Sequence, residues 1–152
     1  MYILLDSAPL ALLATPVRSS NAPTVQAIRQ WAVSCDAAGH RLIVPQCVDY
    51  EVRRELLRAN KTASIVELDR LGVDLFFLPV TNAAWLHAAE LWAETRRQGQ
   101  PTAHDENIDV DVILAAQALT CGVPETELVV ATTNLRHITR FVPAALWETI
   151  SP

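Results

Sequence analysis

The chain has 152 residues, 17 acidic against 12 Lys and Arg for a formal net charge of −5, with 51% hydrophobic and 19% charged residues and only four glycines. Such a composition suits one domain with a sizeable core and excludes disordered or fibrous classes. It offers no global basic footprint for duplex DNA, so any nucleic acid must be held by local Arg clusters.

No apolar run reaches the roughly 18 residues of a membrane span. The apolar start carries Asp6 and Pro9 and lacks a positive lead, which argues against a secretory signal. Cys35, Cys47 and Cys121 are widely spaced and odd in number, without C-x-x-C, and read as reduced thiols of a cytoplasmic protein.

Tyr2 to Asp6 (Tyr-Ile-Leu-Leu-Asp) is an apolar run closed by a carboxylate, and it predicts a central strand buried on both faces. A helix follows over Ala8 to Ala14, then a polar loop from Pro16 to Pro23. Apolar residues at Val25, Ile28, Ala32 and Cys35 predict a helix from Thr24 that Gly39 ends. Leu42 to Val44 predicts a strand. Pro45 opens a helix with Val48, Val52, Leu56 and Ala59 on one stripe. An amphipathic segment from Ala63 to Leu71 leads through Gly72 to a strand over Asp74 to Val80.

Thr81 caps the next helix, in which Trp85, Ala88, Ala89, Trp92 and Ala93 share a face until Gly99; this aromatic stripe is assigned to the core in preference to a partner surface. Gln98 to Asn107 reads as a polar loop. Ile108, Val112, Ala115, Ala116 and Leu119 mark a helix ended by Gly122 and Pro124. Leu128 to Ala131 predicts a buried strand, and Leu146 to Ile150 a last short one. Strands and helices alternate, which gives a one-domain α/β fold with a mostly parallel sheet and helices on both faces.

In such a fold ligands sit beyond the carboxyl ends of the strands, where Asp6 lies; the competing role for Asp6 is a helix N-cap. Glu51 borders the buried stripe of its helix, either facing a site or pairing with Arg54 as Glu55 pairs with Arg58. Asp109 suits the first turn of a helix through the helix dipole. Asp111 shares a side with Ile108 and Ala115, and a carboxylate held near others is costly unless a cation neutralises it. Thr132, Thr133 and Asn134 follow a strand and are either plain caps or neutral ligands beside a metal.

Oxygen donors from separate elements, without zinc spacing among His40, His87, His104 and His137, point to Mg²⁺ or Mn²⁺. No phosphate-binding loop, dinucleotide fingerprint or nucleophile elbow is present. Carboxylate-bound Mg²⁺ with Arg around it suits phosphodiester hydrolysis. Arg18, Arg53, Arg54, Arg136, His137 and Arg140 are the candidate RNA-binding rim, because an acidic pocket needs local cations to admit phosphate.

Four stretches in this order, Ile3-Leu-Leu-Asp-Ser, Tyr50-Glu-Val-Arg-Arg-Glu-Leu, Asp109-Val-Asp-Val-Ile-Leu-Ala-Ala-Gln-Ala and Val130-Ala-Thr-Thr-Asn followed by His137 and Phe141, resemble the PIN domain, and within it the VapC-type toxin ribonucleases. The resemblance implies a single PIN-like, Rossmann-like three-layer domain over residues 1–152. It implies that Asp6, Glu51 and Asp111 bind Mg²⁺ or Mn²⁺ for endoribonuclease catalysis, with Asp109 as an accompanying acid. Asn134 departs from the Asp common in the family, which bears on a second metal.

The resemblance also implies a small antitoxin partner. The faces carrying Trp31, Trp85 and Trp92 suggest a homodimer. A silent PIN scaffold that binds RNA or protein is the alternative. A haloacid-type phosphatase is disfavoured because Ala8 stands where it needs a second Asp.

Overall fold

The computed structural model describes residues 1–16, 22–98 and 105–152, with side chains in the last segment from residue 110 onward. Five strands, β1 (Tyr2–Leu5), β2 (Arg41–Pro45), β3 (Phe76–Leu78), β4 (Leu128–Thr132) and β5 (Ala144–Leu146), form one sheet in the order β3-β2-β1-β4-β5. Every pairing is parallel. β1 is central, as its sequence predicts, and Ile3, Leu4 and Leu5 expose nothing. Burial of successive residues requires cover on both faces of the sheet, and the helices supply it.

The helices are α1 (Ser7–Leu13), α2 (Pro23–Ala37), α3 (Gln46–Arg58), α4 (Thr62–Asp74), α5 (Asn82–Arg97), α6 (Asp105–Thr120) and α7 (Leu135–Ile138). The chain runs from β1 outward to β2 and β3, then crosses back to β4 on the other side of β1. The strand order therefore reverses at β1, and the carboxyl ends of β1 and β4 border the crevice where doubly wound sheets bind ligands. Leu10, Ile28, Val48, Leu68 and Leu114, one from each of α1, α2, α3, α4 and α6, are fully buried against the sheet strands. Each contributes about 1.5 to 3 kcal/mol by leaving water.

α2 stops as its sequence predicts. Gly39 has φ +81°, and the Gly39 and His40 amides donate to the Asp36 and Cys35 carbonyls at 2.9 Å. Elsewhere long-range packing overrides local signals. α4 runs through Gly72 to Asp74, and the strand expected over Asp74 to Val80 shrinks to Phe76–Leu78. The Val80 amide turns away to donate to Gln46 Oε1 at 2.8 Å.

The expected final strand lies earlier, at Ala144–Leu146, and Trp147–Thr149 coils into a 3₁₀ turn. This turn seats the Trp147 ring edge-on to Trp31, centroids 5.7 Å apart, while Trp31 Nε1 donates to the Ile150 carbonyl at 3.0 Å. Of the expected loop from Gln98 to Asn107, residues 99–104 lie outside the described residues, and α6 already begins at Asp105.

The aromatic stripe of α5 is not core. Ala84 and Ala88 pack on Val112 and Ala116 of α6, and Trp85 and Trp92 remain 51% and 39% exposed. Two helices approach closely over small side chains, so the alanine edge of the stripe takes the interface and the indoles are turned outward.

Gln117 is the one fully buried amide among the described residues. Its Oε1 accepts from the Cys47 amide at 3.3 Å and its Nε2 donates to the Leu78 carbonyl at 2.7 Å, tying α6 to the start of α3 and the end of β3. Gln117→Ala would strand both backbone groups. Urea unfolding should show a loss of about 2 to 4 kcal/mol; a loss below about 0.5 kcal/mol would mean that water replaces the amide at little cost.

Candidate active site

Asp6 follows β1, and its amide extends the sheet ladder by donating to the Ala131 carbonyl at 3.0 Å. Its Oδ1 accepts from the Ser7 amide at 2.7 Å, so it does cap α1. Its Oδ2 accepts from Thr132 Oγ1 at 2.6 Å. Capping and site roles thus coincide. Thr132 is fully buried at the end of β4 and also accepts from the Asn134 amide at 3.0 Å, which shapes the turn leaving the strand.

Glu51 enters from the middle of α3. Its partner among the described residues is Ser7, whose hydroxyl donates to Glu51 Oε2. The alternative pairing with Arg54 does not form, although the parallel pair of Arg58 and Glu55 does, at 2.7 Å. Ser7 is the cleft residue that sequence reasoning missed. Its amide holds one carboxylate and its hydroxyl another, and the only signal was a hydroxyl residue directly after the strand-end Asp.

Asp111 comes from α6, with a quarter of its side chain exposed. Burial first, and then the charges of Asp6 and Glu51, push its carboxyl from an ordinary 3.8 up to about 7. Asp6, Glu51 and Asp111 line one cleft of about 240 Å³ with Ser7, Asn134 and His137. His137 Nδ1 stands 3.7 Å from Asp111 Oδ2, beyond hydrogen-bond range.

The remaining candidates divide. Asn134 borders the cleft but its Oδ1 accepts from the Arg136 amide at 3.3 Å as the cap of α7, and Thr133 is exposed. Arg53 is held by Asp49 at 2.9 Å and Asp69 at 2.7 Å, so its charge is largely answered within the fold. Arg54 lies 5.6 Å over the Tyr50 ring and Arg140 5.6 Å over Phe141. Arg136 is exposed. Arg18 and the side chain of Asp109 lie outside the described residues.

Cys47 adjoins the acids without being a nucleophile. Burial, with the charges of Glu51 and Asp6, pushes its thiol up to about 12, so it stays protonated.

Oxygen-only donors that are close enough to raise a neighbour's pKa suit a hard divalent cation. As they stand, no three His, Cys, Asp or Glu side chains among the described residues reach ion-holding spacing.

No family model and no curated protein matches the sequence. The fold does match solved structures along the whole chain. A chain of VapBC2 from Rickettsia felis, bound to a DNA fragment from their promoter, gives a TM-score of 0.69 at 13% identity, covering 95% of this chain and 98% of that one. A chain of FitAcB from Neisseria gonorrhoeae gives 0.64 at 19%, covering 97% and 99%. DNA-bound VapBC from Salmonella typhimurium gives 0.62 at 18%, covering 97% and 98%. The expected α/β fold, a parallel sheet with helices on both faces, is thereby shown to be shared with chains of these complexes. Among the described residues no helix is long and apolar enough to cross a membrane.

The shifted carboxyl predicts a pH signature. A group that ionises at 3.8 unfolded and at about 7 folded makes the folded state bind more protons between those values, so its stabilising contribution fades as pH rises through that window. In chelator-treated protein, the melting temperature of wild type relative to Asp111→Asn should fall from about pH 4 to about pH 7. Parallel curves would show that Asp111 is not crowded.

Proposed function

We propose that this chain is a Mg²⁺- or Mn²⁺-dependent endoribonuclease of the VapC toxin type, cutting single-stranded or structured RNA. The observation that carries the reading is the convergence of Asp6, Glu51 and Asp111, from a strand end and two helices, on one cleft at the switch point of the sheet. Burial, with the charges of Asp6 and Glu51, raises the Asp111 carboxyl to about 7, and carboxyls so perturbed in a cleft cluster at functional sites.

Asp6, Glu51 and Asp111 would hold the cation, with Asp109 the candidate fourth acid. Bound there, the cation would lower the pKa of a water and neutralise charge on the attacked phosphate. The protein's own groups prepare the site: Thr132 fixes Asp6, Ser7 fixes Glu51, and Asn134 and His137 border the cleft. Arg136, Arg54 and Arg140 would draw the phosphate backbone toward an otherwise acidic protein.

The toxin reading brings a cytoplasmic setting and a small antitoxin, whose basic side chain would neutralise the carboxylates. VapBC structures among the fold neighbours support such a partner. Of the tryptophans expected at a homodimer face, Trp31 is buried against Trp147, and the exposed Trp92 is the surface on which a homodimer would form.

A silent scaffold that binds RNA or protein is the second reading. Two observations favour it: Asn134 in place of an acid, and the spacing of the described acids, wider than an ion requires.

Cleavage of single-stranded RNA by purified protein, with Mg²⁺ or Mn²⁺ and with chelator, separates the two. Perturbing even the neighbours of metal ligands typically costs about 10- to 100-fold. Asp111→Asn should therefore lose at least that, about 1.4 to 2.7 kcal/mol of transition-state stabilisation. Ser7→Ala should lose about 10-fold, with Ser7→Thr restoring most of it. Metal-independent cleavage, or full activity in Asp111→Asn, would overturn the assignment. RNA affinity should weaken from low to moderate salt, and Arg136→Ala should flatten that dependence.

A further inference from the structure

We propose that the hollow beside the acidic cleft, where α3, α5 and α6 meet, seats an unpaired nucleobase of RNA whose backbone crosses the carboxylates. This rests on the nuclease reading of the cleft and adds to it a means of gripping the substrate. The hollow has a volume of about 620 Å³ and is walled by Tyr50, Trp85, Val80, Val110 and Ile113, with Arg54 at its edge. That size lies within the usual range of ligand sites, about 300 to 1,000 Å³.

Hollow and cleft share their supporting helices. On α3, Tyr50 of the hollow precedes Glu51 of the cleft; on α6, Val110 precedes Asp111. Each step is one residue, about 1.5 Å along the helix axis and about 100° around it, so hollow and cleft open on adjoining faces of the same two helices. A strand with a phosphate at the carboxylates would bring an adjacent base to the aromatic wall.

The wall has the chemistry of a base seat. Tyr50 and Trp85 are 61% and 51% exposed, large aromatic surfaces that no core packing requires. Stacking on such rings tolerates any base, since every base has a π face. The Arg54 guanidinium, 5.6 Å from the Tyr50 centroid, has no carboxylate partner among the described residues. An unanswered cation next to an aromatic wall fits a base with its phosphate better than a purely apolar peptide.

The test uses the full chain with Ca²⁺ as the hard cation and a 2′-O-methyl oligouridine whose length is verified after each titration, compared with the same backbone made abasic, with binding read by fluorescence anisotropy. Trp85→Ala and Tyr50→Ala should each weaken the oligouridine about 5- to 150-fold, the range of one base-aromatic stack. Trp85→Phe and Tyr50→Phe should retain most of the affinity. The abasic strand should bind wild type and the alanine variants alike, and Arg54→Ala should weaken both strands by a similar factor.

Unchanged oligouridine affinity in Trp85→Ala and Tyr50→Ala overturns the proposal, as does equal weakening of the abasic strand or no binding by wild type. So does loss of antitoxin capture with RNA affinity intact, which would make the hollow a protein-docking site. Metal-dependent cleavage measured in parallel separates the two levels. Cleavage without a stacking effect removes the base seat alone, and stacking without cleavage removes the nuclease reading alone.

Discussion

The hydrogen bond from Thr132 Oγ1 to Asp6 Oδ2 joins the ends of the two strands between which the strand order reverses. It is buried at Thr132, where an unmade bond would be expensive, so it fixes the separation and rotation of two strand ends at once. From that point the rest of the cleft is built outward. Asp6 orients Ser7, Ser7 orients Glu51, and Thr132 sets the turn that presents Asn134 and α7. A network of this kind is costly if half made and rigid if complete, which is what a site needs to hold charges of one sign in place.

The third carboxylate depends on a different constraint. Asp111 reaches the cleft because α6 lies close to its neighbours, and it lies close because Ala115, Ala116 and Ala118 on α6 and Ala84 and Ala88 on α5 are small and buried. Gln117 then pins the same helix to α3 and β3 through two backbone groups. Tight packing on one side of α6 and a locked amide on another leave Asp111 little freedom to swing into solvent. Burial there, and then the charges of Asp6 and Glu51, raise its carboxyl.

The parts legible in the sequence were those governed by short-range rules. Unbroken apolar runs located β1, β2 and β4, and alternation with helices gave a doubly wound sheet with β1 at its centre. Asp6, Glu51 and Asp111 could be singled out because each sits at the border of an apolar stripe. What was not legible depended on contacts between distant segments. Nothing local says that Trp147 must turn toward Trp31, so the apolar pattern predicts a strand where a 3₁₀ turn lies. The indoles of α5 and its alanines share one arc of helix, and only the approach of α6 decides which is buried. Arg53 looked like a free surface cation until the fold brought Asp69 to it.

The position of β1 has a consequence for biosynthesis. β1 is the middle of the sheet, and its neighbour β4, paired through Tyr2 with Leu128, is separated from it by most of the chain. Contacts so distant in sequence form late, because the loop must close before they are rewarded. A nascent chain lacking its last quarter has Asp6 but neither Thr132 nor the β4 ladder to hold it. The cleft is therefore assembled only after β4 has been made and has paired with β1.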